Sequence, residues 1–347
     1  AGHVRVFSLS ASFDYTGSKF SQLGSDIDGE AAGDFSGFSV STSGDGTKLA
    51  VGAIGNDGTG SDAGHVRVYS YSGGSWSQLG ADIDGEAAGD LFGYSVSISN
   101  DGTIVAVGAP INGGNEKGHV KVYQYSGSSW SQLGSDIDGE AANDNSGYSV
   151  SLSSDGSILA IGAIGNDGTA SNAGHVRVYS YSGGSWSKLG ADIDGEAGNN
   201  ASGGSVSLSS DGSILAIGAH GNDGGAGESG NNTGGGGGGA GAVGYAASDS
   251  TAGLRGDGGA GTSSSITGSA VTRAGGGGGG NYDGSNVSVG GAGGGGAGGS
   301  GNSPYVNGNA ATANTGGGGG GSSGTDGDAS GTGGAGGSGI VIIRYLT

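Results

Sequence analysis

The sequence predicts an all-β chain in two parts: a β-propeller-type repeat array followed by a glycine-rich polyglycine-II helix sandwich. Three observations lead there. A GHV triplet recurs with its histidine at His3, His65, His119 and His175, at spacings of 62, 54 and 56, the length of one propeller blade. Each unit holds four short strand-like runs and no helical period. From residue 221 onward the composition changes, and 50 of the 92 glycines fall in the last 127 residues. The expected division is therefore 1–220 for the blades and 221–347 for the glycine-rich part.

Within one unit the runs follow a fixed order. GYSVSLS alternates, with Val150 and Leu152 on one face and serines on the other. SILAIGA is apolar throughout (Ile158, Leu159, Ile161), as a buried strand should be. GHVRVYSY sets Val176 and Val178 against His175, Arg177 and Tyr179, and SWSKLG carries Trp186 and Leu189. An Asp-Gly pair between the first two runs marks a hairpin turn. Trp76, Trp130 and Trp186 occupy one position of the repeat, with Phe20 in the first copy, and all four are expected to be largely buried. The array begins with the last two strands of a blade and leaves after the first two of another, with three complete blades between. The two halves either pair and close a four-bladed ring, or belong to a larger propeller. The absence of an initiating methionine favours the second reading.

The glycine-rich part contains hexaglycine runs starting at Gly234, Gly275 and Gly316, spaced 41 and 41, with mixed runs at 290–301 and 333–339. Regular spacing and a closing β-branched segment, GIVIIRY, argue against a flexible linker. Six residues in a polyproline-II-type helix make a rod of roughly 19 Å, and rods without side chains can approach and hydrogen-bond to one another. If successive runs are antiparallel, segments 243–273 and 302–315 share one end of the stack and 281–289 and 322–330 the other. The first pair contains Tyr245, Arg255, Arg273, Tyr305 and Asn307, residue types that supply adaptable contacts and hot-spot energy.

Two resemblances add to this reading. FGYSVS followed by AVGAP at 92–110, with a looser copy at 38–53, resembles the FG-GAP repeats of integrin-α-type β-propellers over about the first 220 residues. That family carries a calcium loop of the form D-x-[DN]-x-D-G-x-x-D between its first two strands. Here the position holds SGDGT, SNDGT, SSDGS and SSDGS, so the family's calcium site is not carried over. The glycine runs, with GGAGGSGIVIIRY at 333–345, are similar to the polyglycine-II tips of bacteriophage tail-fibre adhesins. That resemblance implies recognition of a host-cell receptor, protein or glycan, by loops of the tip. It also implies an extracellular or virion location and other virion or fibre proteins as partners. The alternative is a cell-surface propeller protein of a microbe or alga that binds protein or glycan.

The chemical candidates are acidic. The chain carries 31 acids against 11 bases, a formal charge of −20, which repels nucleic acid and anionic membranes. No apolar run is long enough to insert in a membrane. The nonapeptide DIDGEAAGD returns at 26–34 and 82–90, then as DIDGEAAND at 136–144 and DIDGEAGNN at 192–200. Its aspartates Asp26, Asp28, Asp34, Asp82, Asp84, Asp90, Asp136, Asp138 and Asp144 are candidate calcium ligands. However, glycine stands at position 4 rather than 6, and position 12 has no bidentate glutamate. A group needed once per blade reads better as a connector between blades than as a catalytic carboxylate. The recurring histidines read as strand residues, because no second histidine or cysteine lies near them. No enzyme activity and no cofactor are expected, with calcium the one candidate ion. Arg255-Gly256-Asp257 spells an integrin-ligand triplet that a glycine-rich segment produces easily by chance.

Overall fold

The computed structural model describes residues 1–9, 20–112, 116–196 and 198–219, and in the glycine-rich part 235–239, 242, 244–245, 256–264, 271–280, 287–300, 306–313, 315–322 and 333–336. The chain forms two compact units, Ala1–Ala219 and His220–Thr347.

The first unit opens with two small sheets. β1 (His3–Val4) pairs with β4 (Ile27–Asp28), and β2 (Phe7–Leu9) with β3 (Phe20–Gln22). Three antiparallel sheets of one design follow. The first has the order β5 (Ser39–Thr42), β6 (Lys48–Ala53), β7 (His65–Ser72), β8 (Ser75–Gln78), with β9 (Ile83–Asp84) also on β7. The second repeats it with β10 (Ser95–Ile98), β11 (Ile104–Ala109), β12 (His119–Tyr125), β13 (Trp130–Gln132) and β14 (Ile137–Asp138). The third uses β15 (Ser146–Leu152), β16 (Ile158–Ala163), β17 (His175–Ser182), β18 (Ser185–Lys188) and β19 (Ile193–Asp194). A hairpin of β20 (Ser205–Leu208) and β21 (Leu215–Gly218) closes the unit. This is an all-β, propeller-type array of four-stranded antiparallel sheets.

Local chemistry sets each blade. Between β5 and β6, Gly46 takes φ 69°, and the Asp45 carboxylate accepts from the Thr47 amide (2.9 Å), the Thr47 hydroxyl and the Ser43 hydroxyl. The same closure recurs at Asp101, Asp155 and Asp211. The first strands β5, β10, β15 and β20 contact one another in sequence, and the second strands are buried along their length. The apolar core lies between blades: Val66, Val68 and Ile83 of one pack with Phe92, Val96 and Val107 of the next.

Several expectations need correction. The nonapeptide is more than a connector, because its Ile-Asp pair forms a fifth strand on the histidine strand, with His65 opposite Asp84 and Val66 opposite Ile83. The alternation in GHVRVYSY does not separate a buried from an exposed face. His175 and Arg177 are buried, since each blade is covered by its neighbour. Trp76, Trp130 and Trp186 are half-buried rather than buried, and Phe20 is 62% exposed. Phe20 has no indole N–H to anchor it, and no described strand packs in front of it. The pairing of the two half-blades into a ring is absent: among the described residues β21 pairs only with β20, and β2 only with β3.

In the second unit the glycine runs are extended rods held by backbone hydrogen bonds. Three of them, 275–280, 294–299 and 316–321, run parallel and bond in a cycle. Gly275 and Gly278 donate to the Gly293 and Gly296 carbonyls. Gly296 and Gly299 donate to Gly318 and Gly321, and Gly318 and Gly321 donate back to Gly275 and Gly278. Donors recur every third residue, the period of a polyproline-II-type helix. Segments 256–261, 287–291 and 306–312 run in the opposite direction, as bonds such as Gly276 to Gly259 and Gly279 to Gly256 require. A hairpin of β22 (Thr262–Ser264) and β23 (Val271–Arg273) precedes the 275–280 rod. The expected alternation of successive runs therefore fails: intervening segments are rods too, so the runs at 275–280, 294–299 and 316–321 all point one way. Rod 275–280 is buried throughout, and a Cβ on Gly277 would collide with the Gly319 carbonyl.

Candidate functional site

The recurring acids are resolved by their partners. In each blade the base two residues after the buried histidine sits between two carboxylates from successive nonapeptides. Arg67 donates to Asp82 of its own blade through Nε (3.0 Å) and Nη2 (2.9 Å), and also pairs with Glu30 from the preceding one. Arg177 repeats this with Asp192 and Glu140. Lys121 stands in the same place, paired with Glu86 and 3.6 Å from Asp136. Arg5 pairs with Asp26 and, among the described residues, with no second carboxylate. The last acid plays another role. Asp34, Asp90 and Asp144 are buried, and each accepts the amide of the alanine three residues earlier (2.9–3.0 Å). Asp28, Asp84 and Asp138 lie opposite the histidines in the strand ladder.

Glu30, His65 and Asp82 come together with the spacing of a metal site, as do Glu86, His119, Asp136 and Glu140, His175, Asp192. In each trio one cation, Arg67, Lys121 or Arg177, stands between the two carboxylates and offsets one of their two charges. Burial and the neighbouring cation hold His65, His119 and His175 below the usual imidazole range. Burial works against the Asp82 charge, yet hydrogen bonds from Arg67 and Gln78 keep its carboxyl below the ordinary value. The Asp45, Asp101, Asp155 and Asp211 carboxylates, where the FG-GAP family holds calcium, spend their oxygens on their own turns.

A second recurrence lies on the inner strands. Phe38, Tyr94 and Tyr148 form a row, one per blade, with ring centroids 5.0 Å apart in both steps. Burial, then the hydrogen bond to Tyr148, pushes the Tyr94 phenol up to about 12. The fourth copy has Gly204 in this place. Sequence reading missed this row and the bases between the carboxylates. The signal for the bases was present: Arg5, Arg67, Lys121 and Arg177 recur in step with the acids.

In the glycine-rich unit the rods sort their connections by end. Gly280, Val287, Ser300, Val306, Ser322 and Gly333, which flank the interruptions at 281–286, 301–305 and 323–332, stand at one end, as the bonds from Val306 to Ser300 and from Gly299 to Gly321 indicate, and the β22–β23 hairpin stands at the other. Tyr245 lies at that end, its amide donating to the Asp257 carbonyl, and it is 59% exposed. Asn307, next to Val306, falls at the same end, on a rod that bonds to 294–299 and 316–321. Arg273 is at the opposite end, where the turn through Gly293 and Gly294 also lies. Arg255 and Tyr305 fall outside the described residues. The structure thus places Tyr245 and Asn307 at the same end and separates Arg273 from them.

With this geometry in view, the comparisons can be read. Residues 82–123 match the FG-GAP repeat family. The match spans the nonapeptide, β10, β11 and the first five residues of β12. No curated protein sequence matches the chain. Among solved structures, the chain is similar to a putative 6-phosphogluconolactonase from Bacteroides fragilis, at 11% identity and a TM-score of 0.40, over 56% of this chain and 49% of that one. It is also similar to TolB from Acinetobacter baumannii, at 15% identity and a TM-score of 0.32, over 52% of this chain and 36% of that one. The chain therefore spans about half or less of those proteins' length.

Proposed function

We propose that this protein is a non-enzymatic adhesin whose glycine-rich unit is the recognition tip, in the manner of a phage tail-fibre tip, acting outside the cell or on a virion against a host surface receptor. One observation carries the reading: the connections after Tyr245, Gly280, Ser300 and Ser322 leave the rods at a single end, where Tyr245 is exposed, while the β22–β23 hairpin occupies the other. A stack built almost wholly of main chain leaves its connections free to make contacts. Tyrosine and asparagine at that end suit an adaptable polar surface.

The test uses the labelled full chain and a panel of bacterial cells. Replacing Tyr245 and Tyr305 with alanine is expected to weaken binding about 30-fold, a loss of about 2 kcal/mol, typical of a hot spot. Arg273→Ala, at the opposite end, is expected to leave binding intact. Binding that survives the tyrosine changes and fails with Arg273→Ala rejects this end as the tip. The alternative, a cell-surface FG-GAP-type propeller protein binding protein or glycan, draws support from the 82–123 match and the Phe38–Tyr94–Tyr148 row. Under that reading Tyr94→Ala abolishes binding and the tip substitutions do not.

A further inference from the structure

The blade junctions share a cleft that neither the clasped bases nor the row of aromatic rings uses. At the first junction it is a cavity of about 250 Å3 between β4 and the β7–β8 hairpin of the next blade. That is smaller than the roughly 300–1,000 Å3 of sites for drug-sized molecules, so it admits one small unit. Its apolar part is Ile27, Tyr69 and Trp76, which pack together. The Trp76 Nε1–H is spent on the Leu23 carbonyl at 2.8 Å, so the indole offers the cleft carbon surface only. The rest of the lining is rich in acceptors. Ser25 and Ser75 bring hydroxyls. Asp26 is held in place by Arg5 and by Gln22 (2.6 Å). Asp28 is exposed, and its carboxylate makes no hydrogen bond or ion pair among the described residues.

The same set recurs at the two junctions between complete blades. Ile83 packs with Tyr123 and Trp130, and Ile137 with Tyr179 and Trp186. Trp130 donates to the Leu79 carbonyl (2.7 Å) and Trp186 to that of Leu133 (2.8 Å), so both indoles are spent in the same way. Asp84 and Asp138 are exposed, and neither carboxylate makes a hydrogen bond or ion pair among the described residues. Ser129 and Ser185 stand where Ser75 does, and Ala81 and Ser135 where Ser25 does.

We propose that these clefts bind hexopyranose units of a neutral glycan, one unit at each junction. A pyranose ring has an apolar C–H face and an edge of hydroxyls. The face lies on the aromatic and isoleucine carbons, and the hydroxyls donate to the carboxylates in charge-assisted bonds, the stronger class. Other small ligands fit less well. The lining holds two carboxylates and no base, which disfavours phosphates and acidic sugars. An alkylammonium group would use the rings and Asp28, but it would meet Arg5, already bound to Asp26, and leave the serine hydroxyls without a role. Three equivalent clefts on one chain add avidity for a surface that displays many copies of the sugar. The site lies in the blade array, so the proposal does not rest on the glycine-rich unit being a tip.

Tryptophan fluorescence reads these clefts alone, because the chain's three tryptophans are Trp76, Trp130 and Trp186. The full chain is titrated with the methyl glycosides of glucose, galactose and mannose, and separately with methylammonium chloride. A saturable change with at least one glycoside is expected, and none with methylammonium. Linear or absent responses to all three glycosides overturn the proposal, as does saturation by methylammonium alone. Asp28→Ala, Asp84→Ala and Asp138→Ala are then combined in one chain, shown by circular dichroism to be folded. These carboxylates have no partner to lose, and their removal is expected to weaken glycoside binding about tenfold or more. Tyr94→Ala and Tyr245→Ala, in the aromatic row and in the glycine-rich unit, are expected to leave the titration unchanged. An unchanged affinity in the triple variant, or a loss with Tyr94→Ala or Tyr245→Ala equal to it, overturns the assignment. Loss of cell binding by Tyr245→Ala with an intact glycoside titration separates the two sites, whereas failure of the titration alone leaves the tip reading standing and rejects the clefts.

Discussion

At the scale of single residues, the acidic nonapeptide divides its work by position, and each position carries its own expectation. Asp90 is buried, accepts the Ala87 amide at 3.0 Å and the Asn112 side-chain amide at 2.9 Å. Asp90→Ala leaves both donors without a partner, and the expected loss is about 1–3 kcal/mol, read from chemical denaturation. Because the acids are committed to cations and amides of the chain itself, chelation is expected to leave the melting temperature unchanged; a drop of many degrees that calcium reverses would restore the metal reading. The histidines set a pH dependence. His65, His119 and His175 titrate below their unfolded value, chiefly because burial opposes the charge. Between the lowered folded value and the ordinary one near 6.5, the unfolded chain binds more protons, so stability falls as pH falls through that window. Asp82 and Asp192, held low by Arg67 and Arg177, add loss in the same direction at more acid pH. His119→Gln is expected to flatten the upper part of this profile in melting curves collected from pH 7 to 5.

At the scale of elements, the strands were legible and their surroundings were not. The order alternating strand, apolar strand, histidine strand, tryptophan strand could be read because each run has the period-2 or continuous apolar pattern that its burial demands. The fifth strand was hidden because Ile83–Asp84 is two residues long and sits within a run of acids and glycines that reads as a turn. The buried state of His175 and Arg177 was hidden for a different reason: an alternating strand shows two faces, but not that a second sheet covers the polar one. Each tryptophan ties neighbouring blades. Trp130→Phe removes the 2.7 Å bond to the Leu79 carbonyl while keeping most of the ring contact with Tyr125. The expected cost is about 1 kcal/mol, well short of the 3–5 kcal/mol that truncation of a fully buried ring brings. In the glycine-rich unit, periodicity revealed rods but not direction, since glycine has no side chain to mark a face. Gly277→Ala is expected to break the stack, detected as new protease cleavage within 221–347, because the added methyl points at the Gly319 carbonyl.

At the scale of the molecule, the two-part organisation followed from composition alone, because a segment dominated by glycine cannot build a side-chain core. The candidate site was only partly legible. Tyr245 could be selected for its residue type, but which end of the stack it occupies depends on rods that lie inside segments first read as loops. The glycine interior also bears on how such a protein can change over time. In an ordinary domain a loop is answerable to the core through the side chains at its two ends. In this stack the packing surface is mostly main chain, and little of it depends on what the intervening segments spell. Those segments can be lengthened, recombined or exchanged between related chains without renegotiating the interior. Under the proposed role, receptor choice can therefore drift quickly while the scaffold that displays it stays constant.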